Sequence, residues 1–162
     1  MKKSFFLLAL AFVLTATATY AQRRGRSNTG SSYGTGLGLG IDFGNGATLV
    51  GPSVKHFFDG NNAGQADLLF GGGATYLGAY YQYHAPISGA PGLKWYLGGG
   101  PQLGFGDGET AFYIRPMAGL DYKFTPDVPI SLTFDWRPSW YIGDYGNNFE
   151  AGRFGLGFRF TF

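Results

Sequence analysis

The feature that most constrains this chain is an alternation of period two in which one face is bulky and apolar and the other is glycine, hydroxyl or charge. Side chains two residues apart share one face of a strand, so this spacing calls for β-structure. Within 152–162, Phe154, Leu156, Phe158, Phe160 and Phe162 share one face, opposed by Arg153, Gly155, Gly157, Arg159 and Thr161. Ile130, Leu132, Phe134, Trp136 and Trp140 oppose Ser131, Thr133, Asp135, Arg137 and Ser139 in the same way. Near the start, Leu37, Leu39, Ile41 and Phe43 oppose Gly36, Gly38, Gly40 and Asp42.

Splitting the chain at its Gly, Pro, Asn and Asp clusters predicts strands at 35–43, 48–58, 65–71, 75–83, 93–105, 111–124, 130–141 and 151–162. The intervening segments are short enough for hairpins, so neighbouring strands are expected to run antiparallel. Most are long enough to cross a membrane when tilted. Alternation alone also suits a soluble barrel or sandwich, and relative side-chain size separates the cases. A narrow barrel has room inside for glycine and scattered charge, so the bulky face points outward, toward lipid. A soluble ligand-binding barrel would instead bury the face of Phe154, Phe158 and Phe160. Composition agrees with the membrane reading: 16 Phe, 11 Tyr, 3 Trp and 29 Gly accompany only 14% charged residues, against roughly 25% in an average soluble domain.

The first 21 residues are set apart. Lys2 and Lys3 precede an apolar run over 5–13 and a Thr19, Tyr20, Ala21 ending, which reads as a cleaved signal peptide. Without those two lysines the chain is formally neutral, since 12 Lys and Arg face 10 Asp and Glu in the full sequence. Residues 22–34, with Arg23, Arg24 and Arg26 ahead of a Ser/Gly-rich stretch, read as a flexible basic tail, and 35–162 as the barrel. There is no cysteine, so disulfides and thiol chemistry are excluded.

Eight amphipathic strands, a leader and the ending Gly-Leu-Gly-Phe-Arg-Phe-Thr-Phe together resemble the small outer-membrane β-barrels of the OmpA/OmpX type from Gram-negative bacteria. The resemblance implies an eight-stranded antiparallel up-and-down transmembrane β-barrel in the cell outer membrane, porin-like and multi-pass, with both termini periplasmic. It implies that Phe162 is the signal read by the barrel-assembly machinery. It also implies a monomer in contact with outer-membrane lipid and lipopolysaccharide. The connections here are shorter than the long extracellular loops of many such proteins. With that topology, Asp107, Glu109, Asp144 and Glu150 lie outside, where acids could share divalent cations with lipopolysaccharide. Lys94, Lys123 and the arginine tail lie on the periplasmic side. Tyr83, Trp95, Tyr122 and Phe160 are expected in one aromatic girdle, and Phe112, Trp140 and Phe154 in the other.

Nine charges fall on the small face: Asp42, Lys55, Asp67, Arg115, Asp121, Asp135, Arg137, Arg153 and Arg159. An isolated buried ion costs several kcal/mol, so these must pair or be hydrated, and Asp42 with Arg153 is the expected pair at barrel closure. A paired network plugs the lumen. The expected role is therefore structural or interactive within the cell envelope, with an envelope protein as a candidate partner and no enzyme activity. A narrow channel for ions or very small solutes, lined by Arg115, Arg137, Arg153 and Arg159, is the alternative. A lipid-modifying enzyme is a weaker one, because His84 is read in a periplasmic turn, His56 sits near the periplasmic end of strand two, and Ser139 has no histidine beside it. The Gly36, Gly38, Gly40 run lies inside a strand with no helix to receive a phosphate. No cofactor, metal or nucleic-acid motif is read in the sequence.

Overall fold

The structure, a computed structural model, describes residues 33–124, 127–143 and 148–162. The predicted leader at 1–21, Arg23, Arg24 and Arg26 of the tail, and Asp144 lie outside the described residues. Among the described residues all regular structure is β: β1 (Thr35–Gly44), β2 (Leu49–Phe57), β3 (Asn62–Gly71), β4 (Ala74–Pro86), β5 (Leu93–Gly106), β6 (Glu109–Lys123), β7 (Ile130–Trp136), β8 (Ser139–Ile142), β9 (Asn148–Glu150) and β10 (Arg153–Thr161). Consecutive strands pair antiparallel from β1 through β7. β1 also pairs with β10 from Gly36 opposite Thr161 to Gly44 opposite Arg153, and this seam closes the sheet. The ten segments form eight staves of a closed antiparallel barrel, since β7 and β8 are two parts of the seventh, and β9 and β10 of the eighth.

The first interruption corrects the continuous strand expected at 130–141, whereas β10 runs unbroken within the strand expected at 151–162 and β9 adds a short paired segment ahead of it. The seventh stave breaks at Arg137 and Pro138, where proline has no N–H to give the ladder. Its lost pairing is replaced from the side: Arg115 donates to the carbonyls of Pro138 (3.1 Å) and Arg137 (2.8 Å). The eighth breaks at Ala151 and Gly152, where Trp136 Nε1 donates to Ala151 O (2.6 Å) and Asn45 N to Gly152 O (2.8 Å). The expected connections around β3 and β4 are also too long, for β3 starts at Asn62 and β4 continues to Pro86.

Two hairpins show how the turns are encoded. Gly72 and Gly73 (φ 62° and 78°) join β3 to β4, while Asp107 and Gly108 (φ 51° and 80°) join β5 to β6. Two consecutive left-handed residues make the type I′ turn that matches strand twist, and Asp-Gly and Gly-Gly are its favoured pairs. At the other end, in the turn after β2, Asp59 accepts from the backbone N–H of Asn61 and Asn62 (both 2.8 Å) and from the Asn62 amide (2.7 Å). These bonds, the Asn62 side chain foremost, hold its carboxyl below the usual range.

The alternation sorts the faces as expected. Leu39, Leu97, Phe134, Phe158 and Phe160 are exposed on the outer wall, while all nine charges named above are buried in the lumen. A soluble barrel would bury Phe158 and Phe160, and here they are 40% and 51% exposed. Among the described strand residues, the only fully charged side chain on an exposed position is Glu109, at the very end of β6.

Candidate functional site

The lumen is the candidate site, and its chemistry changes along the barrel. At the mouth distal to the termini, Asp42 on β1 is shared by two arginines. Arg153 on β10 reaches Oδ1 through Nη2 (2.5 Å) and Nε (2.9 Å), and Arg115 on β6 reaches Oδ2 through Nη2 (2.7 Å). The seam between β1 and β10 brings the Asp42 and Arg153 strands together, and Arg115 crosses from the opposite wall. Both guanidiniums also tie down backbone. Arg153 Nη1 donates to Asn45 O (2.6 Å) and Ala47 O (3.0 Å), and Arg115 Nη1 is taken by Gln102 Oε1 (2.6 Å).

The middle of the lumen is organised by Arg137, which follows β7. It binds both oxygens of Asp135, with Nη2 at 2.7 Å from Oδ2, and reaches Asp67 on β3 (3.2 Å). Asp67 also accepts from Ser53 Oγ (2.6 Å) and Gln65 Nε2 (2.9 Å). Arg159 contacts hydroxyls, Ser53 Oγ at 2.7 Å and Thr133 Oγ1 at 3.0 Å, and among the described residues is linked to a carboxylate through the Ser53 relay to Asp67. Tyr96 donates to Asp135 Oδ2 (2.6 Å) and packs with Tyr80 and Met117.

Near the termini the arrangement is different. Lys55 on β2 donates to Asp121 on β6 (3.0 Å), lies 3.5 Å from His84 Nε2, and stands over the Tyr96 ring at 4.5 Å. Tyr33, just before β1, donates its hydroxyl to the same Asp121 oxygen (2.8 Å) and packs edge-on against Phe57. His84 is therefore not in a turn: it is buried on β4, stacked on Tyr96 at 4.8 Å, with Nε2 at 3.4 Å from Asp121. Its Nδ1 has no hydrogen-bond partner among the described residues. His56 points outward from β2, 2.8 Å from Thr35 Oγ1. Ser139 is half-buried, and both histidines belong to the terminus-side half, so the serine has no imidazole beside it. Lys94 and Lys123 cap backbone carbonyls at this mouth, on Gly60 (3.2 Å) and Val128 (2.7 Å) respectively.

Comparison with protein-family models, curated proteins and solved structures gives no match.

Glycine is what makes room for this network. A Cβ built at Gly155 would lie 2.1 Å from Arg137 Nε, and one at Gly157 would lie 2.4 Å from Arg159 Nη1. The guanidiniums thus lie flat across bare backbone. Sequence reading missed the neutral members, Ser53, Gln65, Gln82, Gln102, Tyr80, Tyr96 and Tyr33, because it followed charge. Parity within β4 would have found two of them, since Tyr80 and Gln82 alternate with the outward Tyr81 and Tyr83. The girdle residues Tyr83, Trp95, Tyr122 and Phe160 face outward toward the terminus side. Phe112 and Trp140 do so toward the other, with Phe154 half-exposed and stacked on Phe134.

Proposed function

We propose that this chain is an integral outer-membrane β-barrel of the small Gram-negative type, with periplasmic termini and a structural or docking role in the envelope. The observation that supports this reading is the inversion of polarity. The outer wall carries exposed Leu, Phe, Tyr and Trp, while ten Asp, Lys and Arg side chains, Lys123 among them, are buried inside among the described residues. In water such a wall is a continuous apolar surface far beyond what a soluble monomer tolerates. In lipid it is the required face, and a closed barrel pairs backbone groups between neighbouring strands without presenting a sheet edge to hydrocarbon. Lipid, lipopolysaccharide and the barrel-assembly machinery, through Phe162, are the partners this placement implies.

The lumen supports a sealed barrel without catalysis. Arg115, Arg137, Arg153 and Arg159 cross it and are bound at their far ends, so an ion passing through would have to displace charge-assisted bonds at successive depths. The test is refolding of the chain without residues 1–21 into lipid vesicles, then planar-bilayer recording on protein whose heat-modifiable gel mobility shows it folded. Silence is expected, together with protection from external protease. Discrete conductance steps that change on Arg137→Ala would overturn the sealed lumen in favour of a narrow channel. Failure to insert would overturn the membrane reading.

A further inference from the structure

We propose that Tyr33 is an acid-released latch on the terminus-side mouth, closed while His84 is neutral and released when His84 takes a proton. Tyr33 lies ahead of β1, yet its side chain is buried inside the mouth. Its hydroxyl donates to Asp121 Oδ2 (2.8 Å), and its ring packs edge-on against Phe57 with centroids 5.0 Å apart. Gly36 gives the ring room to fold inward, for a Cβ there would lie 3.3 Å from it.

Beneath this cover His84 meets one anion and an excess of cations. Its ring lies between Phe57, at 4.7 Å, and Tyr96, at 4.8 Å, and its Nε2 faces Asp121 Oδ2 at 3.4 Å and the Lys55 ammonium at 3.5 Å. Neutral imidazole offers Asp121 a hydrogen and sets no charge against Lys55. The titratable and charged groups around it, among the described residues, are Lys55 on β2, Lys94 and Tyr96 on β5, Asp121 and Lys123 on β6, Arg159 on β10, and Tyr33 itself. Four cations therefore stand with one carboxylate, which Lys55 and Tyr33 already share. Asp135, the next acid, lies deeper and is bound by Arg137 and Tyr96. Protonation of His84 adds a fifth cation at 3.5 Å from an ammonium.

Such a charge is relieved by separation or by water. Separation is resisted, because His84, Lys55 and Asp121 sit on strands that pair on both sides. Water enters where the cover is outside the sheet, and that cover is Tyr33. The closed mouth disfavours protonated His84 and the open mouth accepts it. Closure is therefore favoured above the ordinary imidazole pKa of about 6.5 and is lost as pH falls below it. One coupled proton lets the open-to-closed ratio rise by up to about ten-fold per pH unit. The arginine layers farther in keep their bonds, so release uncovers the Lys55 and Asp121 layer without opening a path through the barrel. The inference does not depend on which side of a membrane this mouth faces.

The test is NMR of the folded barrel in detergent micelles, titrated from about pH 8 to about pH 5, the range in which histidine is the side chain that ordinarily titrates. The nuclear Overhauser contact between the Tyr33 and Phe57 rings reads the latch directly, and the Phe57 amide, which donates to Gly34 O (2.8 Å), reads it in the backbone. The ring contact should be lost in acid, with the Phe57 amide and the His84 ring carbons shifting at one midpoint. His84→Phe has no proton to take and should keep the contact throughout. Lys55→Met removes the opposing ammonium and should move release to lower pH. His56→Gln, which removes the imidazole on the outer face, should leave the response unchanged. A contact that persists while His84 titrates, a loss that survives His84→Phe or vanishes in His56→Gln, an unmoved midpoint in Lys55→Met, or a His84 that does not titrate in the folded barrel overturns the proposal.

Discussion

The two ends of the lumen solve the same electrostatic problem with different chemistry. At the distal end Asp42 is held by two guanidiniums, each of which also grips backbone carbonyls, so charge neutralisation and strand cross-linking are one set of bonds. At the terminus end Asp121 is held by an ammonium, a phenol and an imidazole, supported by aromatic rings. A planar fork binds several acceptors in fixed directions, whereas lysine is a point charge on a flexible stem. The distal layer should therefore be stiff and intolerant of change. The terminus layer spreads its contacts over partners that can substitute for one another.

Single substitutions sharpen that contrast. Asp42→Asn removes the only carboxylate that pairs with Arg115 and Arg153 among the described residues, and should cost about 3–5 kcal/mol in denaturant unfolding from micelles, the usual result of orphaning a buried charge. The double reversal Asp42→Arg/Arg153→Asp should recover only part of this loss, because Arg115 would then face an arginine. Full recovery would mean that Arg115 contributes nothing to the pair. Lys55→Met should cost less, about 2–3 kcal/mol, because Asp121 keeps the Tyr33 hydroxyl and the His84 imidazole. If it equals Asp42→Asn, the terminus layer is as rigid as the distal one and the contrast fails.

Tyr33→Phe deletes one hydrogen bond to Asp121 while keeping the ring on Phe57, and should cost about 1 kcal/mol. The smallest effect is expected for His84→Phe, within about 1 kcal/mol of the parent. The stacking on Tyr96 survives, and the unpartnered Nδ1 is removed together with the contact to Asp121. A loss as large as that of Lys55→Met would show that Asp121 depends on the imidazole.

Much of the fold was legible because a barrel wall leaves each residue only two environments. Parity therefore placed Asp42, Lys55, Asp67, Arg115, Asp121, Asp135, Arg137, Arg153 and Arg159 on the inner face, and Leu39, Phe134 and Phe158 on the outer. Strand ends were less legible. His84 and Pro86 carry ordinary turn signals nearby, yet pairing with Tyr96 and Lys94 keeps β4 extended through them. The break at Pro138 was hidden by the continuing parity of Ser139 and Trp140 around it.

The sequence by itself determined the class of structure, the polarity of the two faces and the places where glycine leaves room, since each is a property of neighbours two residues apart. The tertiary structure decided which charges meet. Pairing in a barrel depends on the register of strands far apart in the chain and on side chains that reach across the lumen. Asp42 and Arg115 are 73 residues apart, and Asp42 and Arg153 are 111 apart. It also decided that Lys55, His84 and Asp121 from separate strands share one mouth. No local spacing records that neighbourhood, because it exists only once the sheet has closed on itself.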